Sequence, residues 1–349
     1  MSLPPPPRAA DGHERTADVL CVGETMAVLG PPDGGPLAEQ SLLSMAVGGA
    51  ESNVACALAG LGRRAAWLSR LGDDPFGRRI LAELTARGVD VSAVETDPER
   101  PTGVYFKDPA PAPDSGAGHT RTYYYRRGSA ASAMGPELAR HPTLRSARIL
   151  HLSGVAAALS DSCARLLETL LVRREGRAAS GPLISFDVNH RPALWRRAGH
   201  DGTDAARALL ALARAADIVF VGRDEAEELW GAARPDDIAH LLATAPAPAA
   251  VVVKDAEHGA TSYAGGLRTF VPSLPTKVVE PVGAGDAFAA GYLTGVLEGR
   301  DERSRLRLGH LAAAAALRTR DDVPVMPSRT DTDRCLALDE DTWAATARR

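Results

Sequence analysis

Between residues 148 and 254 the chain repeats one pattern, a short apolar run followed by a segment with helical spacing. The apolar runs are RILHLSG (148–154), PLISFDVN (182–189), DIVFVG (217–222) and AVVVK (250–254). Helices are expected near 160–175, 203–215 and 224–232. Strands that alternate with helices form parallel sheets, and almost wholly apolar strands are typical of sheets covered on both faces. The pattern predicts an α/β fold with three layers, α/β/α, and a mostly parallel central sheet.

The rest of the chain is expected to complete this single large domain, for which 349 residues suffice. GVYFKD and HTRTYYYRR are two short predicted β segments, and the alternating tyrosines of the second suit a sheet that is exposed on one face. We therefore predict a small β-sheet lid, built from insertions at about 38–48 and 100–130. The domain boundaries are expected to be a disordered Pro-rich N-terminus over 1–17, the main domain over 18–327 and a C-terminal tail over 328–349.

The stretch EPVGAGDAFAAGY (280–292) places two glycines and an aspartate where a helix is predicted to begin. First-turn amides have no intrahelical acceptor, so those of Ala284, Gly285 and Asp286 would form an anion site suited to phosphate. Gly283 and Gly285 would let a ligand approach the backbone closely. Asp286 could simply cap the helix, or it could accept a hydroxyl proton during attack on phosphorus. Two flanking glycines exceed what a cap needs, which favours a phosphoryl-transfer site.

Other features exclude several classes of protein. A dinucleotide fingerprint needs a third glycine where this stretch has Phe288. The net charge of −4 gives no basic surface for nucleic acid, and no apolar run is long enough to span a membrane. The cysteines are far apart, which indicates neither a metal site nor a disulfide framework, and the polar, Pro-rich start is unlike a signal peptide. We expect a cytoplasmic protein with no nucleic-acid or membrane partner.

Three stretches together resemble the signatures of the ribokinase-like (PfkB) carbohydrate kinases. They are VGGAESNVACALAGLG (47–62), GDDPFG (72–77) and EPVGAGDAFAAGY (280–292), in the order that the family has. The resemblance extends from residue 18 to about 327. It implies a ribokinase-like fold with a β-sheet lid over the sugar, ATP and Mg²⁺ as cofactors, and a homodimer or higher homo-oligomer formed through the lid.

Within the family, GVYFKD, YYYRRGSAAS and FDVNHRPALW are most similar to the kinases of 2-keto-3-deoxygluconate. This likeness implies a small sugar acid as substrate and transfer of the γ-phosphate of ATP to its 6-hydroxyl. Arginine suits such a substrate because a guanidinium binds a carboxylate through two parallel hydrogen bonds. One alternative is a fructokinase or another neutral-sugar kinase of the family. An alternative of another class is a catalytically silent regulator that binds sugar or nucleotide.

The resemblance also assigns roles to individual residues. Asp286 is the expected general base, and Gly283, Ala284 and Gly285 are the expected anion hole. The expected sugar contacts are Gly49, Asn53, Tyr105, Tyr124, Arg126, Arg191 and Asp322. The expected nucleotide contacts are Asn189, Lys254, Gly259 and His310, and Glu225 is expected to act indirectly on Mg²⁺.

Three of the positions that depart from the family pattern lie near the expected nucleotide. Gly222 stands at the asparagine position of N-x-x-E, and Ala256 replaces the first glycine of K-x-G-x-x-G. His310 occupies a position where the family often has asparagine beside adenine. These changes leave the expected fold and reaction intact and leave the nucleotide preference open.

Overall fold

The computed structural model describes residues 17–109, 121–171, 181–197, 202–243, 247–319 and 324–347. Three parts of the chain named in the sequence analysis lie outside these residues. They are the predicted disordered N-terminus up to residue 16, most of the loop between GVYFKD and HTRTYYYRR, and Asp322.

The strands within the described ranges follow the apolar runs of the sequence closely. They are β1 (Ala17–Val22), β2 (Met26–Gly30), β3 (Ser44–Gly48), β4 (Ala65–Leu68), β5 (Arg70–Gly72), β6 (Glu95–Asp97), β7 (Val104–Asp108), β8 (Arg121–Tyr125), β9 (Ala147–Ser153), β10 (Leu183–Asp187), β11 (Ile218–Gly222), β12 (Ala250–Asp255), β13 (Gly259–Ala264) and β14 (Leu267–Val271).

The helices of the described ranges connect these strands. They are α1 (Ala50–Gly60), α2 (Pro75–Ala86), α3 (Thr143–Ser146), α4 (Gly154–Ala157), α5 (Asp161–Leu171), α6 (Pro192–Arg197), α7 (Gly202–Ala215), α8 (Arg223–Trp230), α9 (Pro235–Leu242), α10 (Ala284–Leu297), α11 (Glu302–Leu317), α12 (Arg329–Leu336) and α13 (Glu340–Ala347).

The central sheet has eight strands in the order β14-β13-β12-β11-β10-β9-β1-β4. Every neighbouring pair from β12 to β4 is parallel, and β13 and β14 form an antiparallel hairpin at one edge. Because successive side chains of a strand point to opposite faces, an apolar strand contributes to two cores. In β11, Ile218 and Phe220 pack in one core, and Val219 and Val221 pack in the other. Helices therefore cover both faces, and the predicted three-layer α/β/α fold is confirmed.

A second, four-stranded sheet, here called the lid sheet, has the order β3-β2-β7-β8. The two predicted insertions supply β3, β7 and β8, but β2 also belongs to the sheet and was not predicted there. Its short run MAVLG is apolar on both faces, so it lacks the alternation that marks a half-exposed strand. The Tyr-rich strand does alternate: Tyr124 is half-buried, whereas Tyr123 and Tyr125 are exposed.

The segment that the sequence suggested as a C-terminal tail forms helices α12 and α13. These helices pack on the large domain, because Trp343 of α13 is only 1% exposed and lies in one of its two cores. Among the described residues, no helix combines the length and the apolar character that crossing a bilayer requires.

Candidate active site

A cavity of about 1030 Å³ opens between the central sheet and the lid sheet, at the carboxyl ends of the parallel strands. Ligands of open α/β sheets bind at this edge. The cavity is lined by all the described residues that were predicted as site residues: Gly49, Asn53, Tyr105, Tyr124, Arg126, Asn189, Arg191, Glu225, Lys254, Gly259, Gly283, Ala284, Gly285, Asp286 and His310. The structure thus brings together residues that are more than 200 positions apart in the chain.

The N-terminus of α10 forms one wall of the cavity. Its N-cap, Gly283, has a φ of 83°, a left-handed conformation that glycine adopts at little cost. The amide of Ala284 makes a long bond of 3.4 Å to the Pro281 carbonyl, and the amides of Gly285 and Asp286 have no acceptor among the described residues. Unpaired amides at a helix N-terminus bind anions, so this tip has the geometry of a phosphate site.

The carboxylate of Asp286 lies directly beside this tip. Its Oδ2 accepts a hydrogen bond of 2.9 Å from the Asn53 side-chain amide. Burial, together with the negative charge of Asp187, raises the pKa of Asp286 to about 7, against the opposing effects of Asn53, Arg191 and Lys254. A carboxylate with a pKa near neutrality can take up a proton during a reaction and release it afterwards.

Lys254 and Asp187 form an ion pair at the bottom of the cavity, with 2.7 Å between Nζ and Oδ2. Burial opposes the charge of Lys254, but Asp187, Glu225 and Asp286 together raise its pKa, so it is a fixed cation. The second oxygen of Asp187 and the side-chain oxygen of Asn189 are buried without a hydrogen-bond partner in the described structure. Two unsatisfied oxygens of residues that line the same cavity suit Mg²⁺, which usually takes one or two protein oxygens and completes its shell with water and phosphate.

Glu225, predicted to act on Mg²⁺, has both carboxylate oxygens in bonds with backbone amides. One accepts from the amide of Gly222 at 2.8 Å, and the other accepts from the amide of His190 at 3.0 Å. The first bond caps α8, and the second holds the loop that carries Asn189. Glu225 therefore orients Asn189, whose side-chain oxygen is a candidate ligand for Mg²⁺. Gly222 contributes its backbone amide to this arrangement but no side chain.

The far end of the cavity is apolar and is built around Phe288 and His310. Their rings meet edge to face with centroids 5.2 Å apart, and His310 Nε2 donates to the Val271 carbonyl at 3.0 Å. Burial lowers the pKa of His310 to about 4, so the imidazole is neutral. Gly259 has a φ of 138°, and a Cβ there would lie 2.3 Å from the same carbonyl oxygen. The protein backbone itself thus requires glycine at this position, whatever ligand binds beside it.

On the lid side, Tyr105 and Tyr124 pack 5.4 Å apart, and the Arg126 guanidinium lies 5.7 Å from the centre of the Tyr124 ring. Arg126 forms an ion pair with Glu24, which also accepts a hydrogen bond from the Ser129 hydroxyl. The side chains of this pair are 7% and 1% exposed. The charge of Arg126 is therefore already balanced inside the protein, a contact that the sequence analysis did not anticipate.

Arg191 faces the cavity from the opposite side and differs from Arg126 in its surroundings. It is exposed, its guanidinium donates to the His190 carbonyl at 3.3 Å, and no ion pair of Arg191 occurs within the described ranges. Its positive charge also lowers the pKa of Asp286. Arg191 is thus a cation available to an anionic ligand.

A second acid, Glu51, is buried beneath the cavity in the first turn of α1 and was not singled out from the sequence. Its Oε1 accepts a 2.7 Å bond from the Ser153 hydroxyl, and a Cβ on Gly23 would lie 2.0 Å from its carboxyl carbon. Burial raises the pKa of Glu51 to about 7, with Glu24 contributing in the same direction. The group lies in a tight polar pocket where its charged form is disfavoured.

Glu51→Gln should therefore stabilise the protein at alkaline pH. Between pH 4.5 and about 7 the folded state holds a proton that the unfolded state has lost, so wild-type stability falls as pH rises through this window. Glutamine is neutral throughout and can still accept from Ser153. The free energy of unfolding, measured with urea, should be about 3 kcal/mol higher for Glu51→Gln than for the wild type at pH 8, and this difference should vanish toward pH 4.5. Glu168→Gln, which changes an exposed residue, is the control, and its free energy of unfolding should equal that of the wild type at each pH. A Glu51→Gln variant that is less stable than the wild type at pH 8 would contradict the raised pKa of Glu51.

The sequence did carry a signal for two of the acids at the cavity that were not predicted, Glu24 and Asp187. Each lies at or just after the carboxyl end of an apolar strand of the parallel sheet, β1 or β10. Charged residues in that position collect at the ligand-binding edge of such a sheet. Which cation each acid pairs with depends on contacts between distant segments, which strand patterns do not reveal.

Comparisons with known proteins agree with this architecture. The model of the pfkB family carbohydrate kinase family matches residues 16–329. The chain is 34% identical over 325 residues to a 2-dehydro-3-deoxygluconokinase of Thermoproteus tenax, covering 93% of this chain and 95% of that protein. It is 35% identical over 314 residues to a protein of the same name from Bacillus subtilis (strain 168), covering 89% and 93%.

Among solved structures, a PfkB protein from Polaromonas sp. JS666 is similar to this chain with a TM-score of 0.78 and 33% identity. The match covers 91% of this chain and 99% of that one. Both the family match and the relatives extend over the central sheet, the lid sheet and the cavity between them. The chain therefore belongs to the PfkB family of carbohydrate kinases and is a phosphotransferase that acts on a sugar.

Proposed function

We propose that the protein uses ATP and Mg²⁺ to phosphorylate the 6-hydroxyl of 2-keto-3-deoxygluconate, also named 2-dehydro-3-deoxygluconate. The observation that carries this proposal is the composition of one cavity. It holds the Asp286 carboxylate beside helix amides that have no acceptor among the described residues, with Arg126 on the lid side and Arg191 on the sheet side. The carboxylate and the amides suit phosphoryl transfer, and the arginines suit a sugar that carries a carboxylate.

In the proposed reaction Asp286 removes the proton of the 6-hydroxyl. The hydroxyl oxygen forms a bond to the γ-phosphorus while the bond from phosphorus to the ADP oxygen breaks. The amides at the α10 tip and the Lys254 ammonium stabilise the negative charge of the transferred group. Asn53 holds Oδ2 of Asp286 at 2.9 Å, which fixes the carboxylate relative to that tip.

The oxygens of Asp187 and Asn189 that lack partners are the groups that would hold Mg²⁺, either directly or through water. When bound, the ion neutralises phosphate charge. Within the described ranges no cluster of three or more His, Cys, Asp or Glu side chains is arranged as a metal site. This composition is consistent with an ion that is held largely by the nucleotide phosphates.

The sugar is proposed to lie between the lid tyrosines and the first turn of α1. Tyr105 and Tyr124 offer ring faces and hydroxyls, and Asn53 offers an amide that can both donate and accept. A Cβ on Gly49 would lie 2.2 Å from the Glu24 carbonyl oxygen, so the bare backbone at this position is required by the fold as well. Arg191, with its uncompensated charge, is the proposed primary contact for the sugar carboxylate.

A neutral sugar is the second candidate substrate, and the Glu24–Arg126 ion pair favours it. Because Glu24 already neutralises Arg126, the lid side of the cavity has less net positive charge than the sequence suggested. A fructokinase-like activity would use the same catalytic groups and would gain little from either arginine.

A substrate panel tests the proposal. ADP release should be measured with MgATP and either 2-keto-3-deoxygluconate, its galactonate-derived epimer, fructose or ribose. The proposal predicts the highest kcat/KM for a 2-keto-3-deoxy sugar acid. Preference for fructose would select the second candidate, whereas binding of ATP and sugar without any ADP release would indicate a silent regulator.

We further propose that two copies of the chain associate through the outer face of the lid sheet. Met45, Tyr123 and Tyr125 on this face are 38%, 38% and 69% exposed, and β3 and β8 are the edge strands of this sheet within the described residues. Exposed apolar edge strands tend to pair with other chains.

A Tyr125→Glu variant should shift the protein from dimer to monomer in light scattering coupled to gel filtration, because a charge would be buried in the interface. Leu267→Glu, which alters an equally exposed apolar residue of the β13–β14 hairpin, is the control and should remain dimeric. A monomeric wild type, or a dimer that both variants retain, would refute the proposed interface.

A further inference from the structure

The last helix of the described chain, α13, lies beyond the residues that match the family model, which end at 329. Its Trp343 is nevertheless among the largest fully buried side chains of the protein. A tryptophan that is buried to this extent in an appended helix must be held by specific contacts, since its indole N–H needs an acceptor.

The contacts of Trp343 are polar as well as apolar. Its Nε1 donates to the Pro272 carbonyl at 3.1 Å, and the Arg307 guanidinium lies 4.7 Å from the centre of its ring. Arg307 in turn donates to the Asp339 carbonyl at 3.2 Å, in the connection between α12 and α13. The helix is therefore fixed to α11 and to the end of β14 at the same time.

Pro272 immediately follows β14 and begins a segment that lines the cavity, Ser273 to Thr276. The preceding carbonyl, that of Val271, accepts the 3.0 Å bond from His310. Two consecutive carbonyls are thus held by two side-chain N–H groups, one from the cavity wall and one from α13. The position of this cavity wall depends on both bonds.

We propose that Trp343 is a positioning residue for nucleotide binding: through Pro272 it fixes the segment 273–276 that borders the apolar end of the cavity. This inference rests on the proposed function, with the nucleotide at that end because Gly259 and His310, two of the expected nucleotide contacts, lie there. It gives α13 a role in the reaction although none of its residues lines the cavity.

The test compares Trp343→Phe with Trp230→Phe. Phenylalanine retains an aromatic ring but removes the N–H. Trp230, which is half-buried, is the control because its Nε1 also donates to a backbone carbonyl, that of Ala206 at 3.0 Å, away from the cavity. Loss of one such bond from a binding wall should raise the KM for ATP and the Kd for a non-hydrolysable ATP analogue about three- to tenfold. The KM for the sugar should stay within about twofold.

Thermal unfolding of both variants separates positioning from general stability. If the two variants lose similar stability and only Trp343→Phe weakens nucleotide binding, the inference is supported. Equal nucleotide affinity in wild type and Trp343→Phe would overturn it, as would equal losses of affinity in the two variants. Failure of the proposed function is a distinguishable result, because it is seen in the wild type itself, as no ADP release with a sugar acid or no binding of the ATP analogue, and not in the comparison of the two variants.

Discussion

Asp286→Asn should lower kcat by a factor of about 10² or more, because loss of a general base removes a contribution of about that size. Asparagine has the same shape as aspartate and can still form a hydrogen bond with Asn53, so the α10 tip should keep its geometry. The measurement is steady-state ADP release, together with the Kd for a non-hydrolysable ATP analogue by calorimetry. That Kd should not rise, since the variant removes a negative charge from beside the phosphate site.

The pH profile gives an independent check on the same residue. With the pKa of Asp286 near 7, the catalytically competent carboxylate form is lost as pH falls below neutrality. Wild-type kcat/KM should thus fall about tenfold per pH unit below pH 6, and the residual activity of Asp286→Asn should lack this limb. Turnover close to wild type in Asp286→Asn would exclude Asp286 as the base.

The fold could be predicted from the sequence because its signals are local. Apolar runs alternate with helical spacing from β9 to β12, and the GAGD stretch marks the start of α10 within a few residues. The residues that line the cavity could be predicted for a similar reason. Carboxyl ends of parallel strands meet at one edge, so signature motifs distant in the chain converge there.

What the sequence did not reveal is how the charged groups pair. Arg126 and Glu24 are about a hundred positions apart, and nothing in either local sequence indicates the other as its partner. Glu225 was assigned to Mg²⁺ from a motif, yet in the structure its oxygens bind two backbone amides. Trp343 likewise stands in a short polar stretch that gave no sign of burial. Such contacts depend on the three-dimensional arrangement of elements and need coordinates.

Because Glu24 pairs with Arg126, a test of sugar acid against neutral sugar as substrate needs a variant that removes both charges. Arg126→Gln alone would leave the buried Glu24 charge without its partner, a destabilisation of about 3–5 kcal/mol that would obscure any effect on binding. Glu24→Gln combined with Arg126→Gln removes both charges and leaves two amides that can bond to each other. This double variant is therefore the informative one.

If the substrate is a sugar acid, Arg191→Gln should raise its KM about 10- to 100-fold, since this variant removes a charged hydrogen bond to the carboxylate. The double variant should raise the KM by a smaller factor, because Glu24 already balances the charge of Arg126. The KM for fructose should stay within about threefold in both. Steady-state kinetics of these two variants on the two sugars distinguishes the candidates. Equal effects on both sugars would mean that neither arginine recognises a carboxylate, and the neutral-sugar assignment would then replace the proposed one.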